Sequence, residues 1–300
     1  MADYLVEVKD IKKYFRLDNG KIDKAKAKYL HAVDHVSFKV ERGEIFGIIG
    51  ESGSGKSTIG RCILGLLEID SGEVYFDGKK ISGLPARQMK EYRKDMQMVF
   101  QNPLASFNPK KTIGSIFNEI VKVYKIPKEE GKKRIHELVE YINLTDDVLT
   151  RLPKELSGGQ LQRLAIARAL LVQPKFILAD EPVSALDVSV QAQILNLMID
   201  LKKEKGQTIL FISHDLTVVR HVCDKVAVVY LGVIVEMGTT EDVYNNVLHQ
   251  KILHQVEVPL IHLLTIPYRA KQTLVLASEA VPLAKYLLTL LSVNILHYIF

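Results

Sequence analysis

The chain has 300 residues, 47% of them hydrophobic and 25% charged, with 40 lysines and arginines set against 35 acidic residues for a net charge of +5. Such a chain can bury a sizeable core as one large or two modest domains, and charge mixed this evenly gives no reason to expect a nucleic-acid partner. Its two cysteines, Cys62 and Cys223, lack metal-ligand spacing, support neither a disulfide framework nor a zinc site, and fit a reducing cytosol.

Met1-Ala2-Asp3-Tyr4 opens directly into an alternating, strand-like run with no basic segment leading into an apolar one, so no signal peptide is expected. The densest basic run, Lys21 to Lys28, carries no interleaved aromatics and reads as a solvated loop. Further on, short apolar runs alternate with helical patterns, as an α/β fold with a mostly parallel sheet and crossover helices requires. The clearest predicted strands are Ile45 to Ile49, Phe176 to Ala179, Ile209 to Ile212 and Val226 to Leu231. Three of them run into Gly50, Asp180 and Ser213-His214. Ligands of open α/β sheets sit outside the carboxyl ends of strands, so these ends predict a nucleotide site. Between Asn102 and Leu156 the pattern turns helix-rich and charged, with loop signals at Asn108-Pro109 and Ile126-Pro127. It reads as an inserted helical subdomain of about residues 102–172.

Gly50-Glu51-Ser52-Gly53-Ser54-Gly55-Lys56-Ser57-Thr58 matches the phosphate-loop pattern G-x-x-x-x-G-K-[ST] position by position, with a strand before it and a helix after it. The glycines let successive N–H groups turn inward toward phosphate oxygens. Lys56 brings a positive charge to the β and γ phosphates, Ser57 a hydroxyl for Mg²⁺, and the helix starting near Lys56 its positive dipole end. A chance glycine-rich turn does not reproduce eight positions in that setting, so the loop reads as a purine nucleotide site.

Two adjacent carboxylates, Asp180 and Glu181, stand at the end of an apolar strand, a costly placement unless cations or reacting groups use them. Asp180 is expected to hold Mg²⁺ and Glu181 to polarise the water that attacks the γ-phosphate. A lone Asp-Glu pair is usually just the polar end of a strand; the phosphate loop and the following Ser184-Ala185-Leu186-Asp187 raise it above that. His214 taken alone is more often structural, yet it follows a third sheet strand and can reach a γ-phosphate. Gln101 is by default a neutral surface residue, but its amide can ligate Mg²⁺ or its water weakly and leave again. In Leu156-Ser157-Gly158-Gly159-Gln160, Ser157 can cap a helix read from Leu161 to Leu171, and the glycines allow close backbone approach to a charged ligand.

From about Val6 to Asn246 the chain resembles the ATP-binding subunits of ABC transporters, specifically the bacterial oligopeptide/dipeptide importer group. The resemblance rests on the phosphate loop, Gln101, the signature Leu156 to Gln160, Walker B Asp180 with Glu181, the D-loop Ser184 to Asp187 and His214, all in the family's order. Group markers are Ala32-Val33-Asp34, Gly50-Glu51-Ser52, Phe100 to Pro109 and Ala185 to Gln193, and Ser57-Thr58-Ile59-Gly60-Arg61 resembles the second, F-type ATPase subunit of such importers. Val183 stands where the family usually has threonine. The resemblance implies a P-loop NTPase core with the helical insertion and an N-terminal antiparallel β subdomain, ATP and Mg²⁺ as ligands, and Phe15, with Tyr14 next, as the aromatic under adenine.

It further implies two cassettes closed head to tail, each ATP held between one phosphate loop and the other subunit's Ser157, Gly158, Gly159 and Gln160, with Asp187 at the same interface. The implied partners are a second, non-identical ATPase subunit, two transmembrane permease subunits docked near Gln101 and Leu104 to Ile120, and an extracytoplasmic solute-binding protein. The implied place is the cytoplasmic face of the cell membrane. Alternatives are nickel or another small solute as cargo, or a non-transport ABC ATPase acting on nucleic acid or ribosomes, which usually brings a long coiled coil, zinc cysteines or a second cassette.

The cassette is expected over residues 1–246, and residues 247–300 form an atypical extension with six charged residues, Lys251, Glu257, Arg269, Lys271, Glu279 and Lys285. Its loss of motif and charge reads as an altered reading frame or a diverged tail, the alternative being a docking extension. Val281 to Phe300, interrupted by Lys285, Asn294 and His297, is a poor membrane span.

Overall fold

A computed structural model describes residues 3–17 and 28–245; the basic run except Lys28, and the charge-poor tail from Val247, lie outside the described residues. The chain divides into two compact units, Met1–Glu241 and Asp242–Phe300, and of the second the described part is residues 242–245. Among the described residues no helix is long and apolar enough to cross a membrane.

Strands β1 (Tyr4–Arg16), β2 (Tyr29–Glu41) and β3 (Ile45–Ile49) lead through the glycine-rich loop to helix α1 (Lys56–Ile63). Strands β4 (Ser71–Phe76) and β5 (Lys79–Lys80), helix α2 (Ala86–Tyr92) and strand β6 (Met96–Val99) follow. The next stretch carries α3 (Pro103–Ser106), α4 (Ile113–Val123), α5 (Lys128–Tyr141) and α6 (Gly158–Leu170), with two 3₁₀ turns before α6. Strand β7 (Phe176–Asp180), α7 (Val188–Lys205), β8 (Thr208–Ser213), α8 (Leu216–Val222), β9 (Lys225–Tyr230), β10 (Val233–Thr239) and α9 (Thr240–Asn245) complete the order.

Six strands form one sheet in the order β10-β9-β3-β8-β7-β6, parallel except for β10. Every residue of β3, β7 and β8 is buried, which is why they read in sequence as short continuous apolar runs: a parallel sheet covered on both faces has no polar side to alternate with. The second sheet, β2-β1-β4-β5, is antiparallel, as the resemblance implies. Between the two sheets and α1 lies a core in which the Phe38 and Phe46 rings stack with centroids 5.1 Å apart, closed by Ile59 and Ile63 of α1 against Leu178 and Ile212. Cys62 and Cys223 are both buried there or beside it; burial raises the Cys62 thiol to about 11 and pushes Cys223 up as well.

Most strand ends shift by one residue from the sequence reading, and two boundaries differ for a definite reason. Helix α6 starts at Gly158, three residues before Leu161, because Ser157 and Gln160 cap each other: Gln160 N donates to Ser157 Oγ at 3.3 Å and Ser157 N to Gln160 Oε1 at 3.0 Å. Strand β9 ends at Tyr230, since Leu231 adopts φ 47° and turns the chain into β10, an edge strand the apolar-run criterion did not show. The two sheets are also joined through Asp77, which accepts from Arg42 and, at 2.8 Å, from Lys175 just before β7. These pairs are partly exposed and contribute orientation more than stability.

Candidate active site

The phosphate loop leaves β3 at Gly50 and is pressed against two other elements. A Cβ at Gly50 (φ 150°) would lie 2.1 Å from Val229 O, and one at Gly55 (φ 104°) 2.0 Å from Ala32 O, so no side chain fits at either position. Gly232 N donates to Ser54 O at 2.9 Å, and Asp34 N to Gly232 O at 2.8 Å, which fixes the loop to β2 through the β9–β10 turn. Ser52 and Gly53 stand exposed at the crest, and Thr58 is half-buried in the first turn of α1. Lys56 is only 4% exposed; its Nζ donates to Gly50 O at 2.8 Å and Glu51 O at 2.6 Å, so the loop curls around its own ammonium. Burial pushes the Lys56 pKa down, against the pull of Glu181, Asp180 and Glu51.

Ser57 Oγ donates to Asp180 Oδ1 at 2.7 Å, joining the loop to the end of β7. Asp180 is buried, and burial pushes its carboxyl pKa up in spite of the Ser57 hydroxyl, Arg61 and Lys56. A carboxylate pKa higher in the fold than in the unfolded chain means that stability is gained as pH falls through the raised value and that a penalty stands above it. Asp180→Asn is therefore expected to raise Tm at neutral pH without nucleotide, by calorimetry; a lower Tm would show the charge to be fully compensated.

Glu181 adopts φ 47°, with its N–H donating to Ile212 O of β8 at 3.0 Å. One oxygen of its side chain gathers the neighbouring strand ends: Gln101 Nε2 donates to Glu181 Oε2 at 2.8 Å, and His214 Nδ1 lies 3.4 Å from the same oxygen. Gln101 Nε2 is also 3.4 Å from Ser184 Oγ. The structure thus brings Gln101, Glu181 and His214 together from the ends of β6, β7 and β8, beside Lys56, Ser57 and Asp180. Gln101, read from sequence as a metal ligand, donates its amide here to Glu181.

The signature residues have other neighbours. Cβ atoms at Gly158 and Gly159 would approach Leu186 at 3.4 Å and Val190 at 2.3 Å, so this stretch lies beside the D-loop and the start of α7. Asp187, at the N-cap of α7, is exposed and its carboxylate caps nothing. At the other side of the phosphate loop, Tyr14 is occupied: its ring stacks on His31 with centroids 4.0 Å apart, its hydroxyl donates to Asp34, and burial with Asp34 pushes its pKa up to about 12. Phe15 is half-buried with Lys13 Nζ 5.6 Å from its ring centroid. Two residues escaped the sequence reading, Asp34 as the partner of Tyr14, and Arg168 of α6, whose contact with Ser106 spans 62 residues of sequence and left no local signal.

A glycine-rich loop at one parallel strand end, a buried carboxylate at the next and a helix start beneath the loop define a P-loop nucleotide-binding protein. A family model described as ABC transporter matches residues 33–184. The oligopeptide transport ATP-binding protein OppF of Streptococcus mutans is 47% identical over 260 residues, 85% of this chain and 82% of that protein. OppF of Escherichia coli is 44% identical over 261 residues, 85% and 78% of the two chains. Among solved structures, a dimeric ATP-binding cassette in a post-hydrolysis state bound to ADP and Pi matches with TM-score 0.69 at 31% identity, over 78% of this chain and 98% of that one. The Clostridium perfringens protein cbiO1, part of the ABC transporter complex cbiONQ, matches with TM-score 0.70 at 27% identity, over 88% and 100%. The chain belongs to the ABC transporter family.

Proposed function

We propose that the chain is the ATP-hydrolysing subunit of an importer of oligopeptides or dipeptides, peripheral to the cytoplasmic face of the cell membrane. The observation that carries the hydrolytic role is the convergence of Gln101 and His214 on one oxygen of Glu181, next to the Ser57–Asp180 pair. Peptides rather than nickel are favoured because the relatives at 44–47% identity are named for oligopeptide transport.

In this reading the loop amides of Gly50 to Thr58 hold the phosphates and Lys56 turns its ammonium from the loop carbonyls to the β and γ oxygens. Glu181 orients the attacking water and takes its proton, His214 holds the γ-phosphate and the Glu181 carboxylate in register, and Gln101 reports whether that oxygen is engaged. Ser57 and Asp180, a hydroxyl and a buried carboxylate, are the hard oxygen donors suited to Mg²⁺, which when bound neutralises charge on the phosphates. Ser157 to Gln160, beside the D-loop, and the exposed Asp187 serve the nucleotide held by a second, non-identical cassette. Permease subunits dock near Gln101 and Leu104 to Ile120, and a solute-binding protein delivers the peptide.

Phe15 is the adenine platform in this reading, because Tyr14 is committed to His31 and Asp34. Phe15→Ala is expected to weaken ATP about ten-fold, measured by equilibrium binding, whereas Tyr14→Ala should leave ATP affinity closer to wild type; the reverse order would move the role to Tyr14. The function as a whole is tested by reconstituting the chain with its partner cassette, permease subunits and solute-binding protein in lipid vesicles. ATP on the cassette side is expected to drive uptake of labelled peptide. Uptake of nickel alone, or ATP hydrolysis stimulated by nucleic acid without uptake, would replace this reading.

A further inference from the structure

Arg168 lies near the end of α6, ten residues past Gly158, or about 15 Å along the helix. Its Nη1 donates to Ser106 O at 2.5 Å, and its Cζ lies 4.6 Å from the centroid of the Phe107 ring, itself only 3% exposed. Burial pushes the guanidinium pKa down, and among the described residues no carboxylate offsets it. A desolvated cation is costly, and here one of its donors goes to a backbone carbonyl and its flat face to an aromatic ring.

The segment it grips begins at the active site. Gln101 touches Glu181; the next residue, Asn102, caps α3 by accepting from Ala105 N at 3.2 Å; and α3 ends at Ser106, the residue Arg168 holds. The route from Glu181 to Arg168 thus runs through one side-chain hydrogen bond and one capped turn. From Arg168 to Ser157 it runs along a single helix, packed on α7 by Gly159 against Val190. The structure shows the Gln101–Glu181 hydrogen bond made, and this is the contact that nucleotide at Glu181 would compete for.

We propose that Arg168 is a positioning residue that ties the Gln101 loop to the signature helix, so that engagement of Gln101 at Glu181 and placement of Ser157 to Gln160 for the partner's nucleotide occur together. This rests on the roles given above to Gln101, Glu181 and the signature. It goes beyond them in naming the side chain that couples two half-sites.

The test compares wild type, Arg168→Met, Arg168→Lys and Phe107→Leu in the assembled complex. Nucleotide affinity of the full chain alone is measured first and should change little, because Arg168 holds Ser106 and Phe107 rather than the phosphate loop; Tm is recorded beside it to separate loss of stability, expected for a buried Phe107→Leu, from loss of coupling. Turnover in the complex is expected to fall about ten-fold in Arg168→Met with KM little changed, less in Arg168→Lys, which keeps a donor, and less in Phe107→Leu, which keeps the carbonyl contact. Hydrogen exchange supplies the readout that simple loosening would not give. In the wild type, protection of residues 101–107 and 157–160 should rise together over one ATP range; in Arg168→Met the two segments should respond at different ATP concentrations. Wild-type turnover with joint protection in Arg168→Met overturns the proposal. Should Arg168→Met fail to fold, Arg168→Lys and Phe107→Leu decide by the same two measurements. A wild-type complex in which neither segment responds to ATP would instead overturn the reading of the site itself.

Discussion

Glu181→Gln is expected to keep ATP binding close to wild type while turnover falls about 10²- to 10³-fold. The substitution preserves size and one oxygen, so the backbone hydrogen bond to Ile212 and the left-handed conformation at this position are undisturbed. What it removes is the anionic oxygen on which Gln101 and His214 converge, the atom able to take a proton from water. The phosphate loop, Lys56 and Ser57 are untouched, so the nucleotide still binds and the closed two-cassette state, no longer relieved by hydrolysis, should accumulate with ATP. Single-turnover hydrolysis, nucleotide affinity and sedimentation of the ATP-loaded protein separate these effects. Near-normal turnover would remove Glu181 from its assigned role and leave His214 as the remaining candidate for orienting water.

Gly55→Ala is expected to cost several kcal/mol and to weaken ATP at least about 100-fold. Two penalties add here. The left-handed backbone disfavours any Cβ by about 1–2 kcal/mol, and the new carbon would sit 2.0 Å from the carbonyl oxygen of Ala32, a backbone atom that cannot rotate away. To relieve the overlap the loop must part from β2, and the loop amides lose their aim at the phosphates. Gly53→Ala is the internal control: it has φ 81° but nothing within 4 Å of the added carbon, so only the conformational penalty applies. Tm and equilibrium nucleotide binding should therefore rank wild type, Gly53→Ala, Gly55→Ala. Equal behaviour of the two variants would show that the contact with Ala32 does not hold the loop.

The parts of this molecule legible in the sequence are those with a local cause. A strand buried on both faces must be apolar throughout, so β3, β7 and β8 announced themselves, and the glycines and Lys56 of the phosphate loop are dictated by the backbone turn they make. The rest depends on what meets across the fold. Gln101 and Glu181 are 80 residues apart and their hydrogen bond follows from the parallel registry of β6 and β7, which pairs Val99 with Ala179. The choice between Tyr14 and Phe15 cannot be read from two adjacent aromatics; it follows from His31 and Asp34 on the neighbouring strand. Arg168 looks in sequence like any solvated helix arginine, and only the folded chain places Phe107 beneath it.

The burial of both cysteines has a practical side. With Cys62 and Cys223 packed in apolar surroundings and their thiols driven toward the protonated form, neither presents the thiolate that alkylating reagents attack. The native chain is therefore a silent background for maleimide chemistry. A single cysteine placed at an exposed position such as Asp187 or Val188 should label selectively, letting fluorescent or spin reporters be written onto the D-loop without first rebuilding the core.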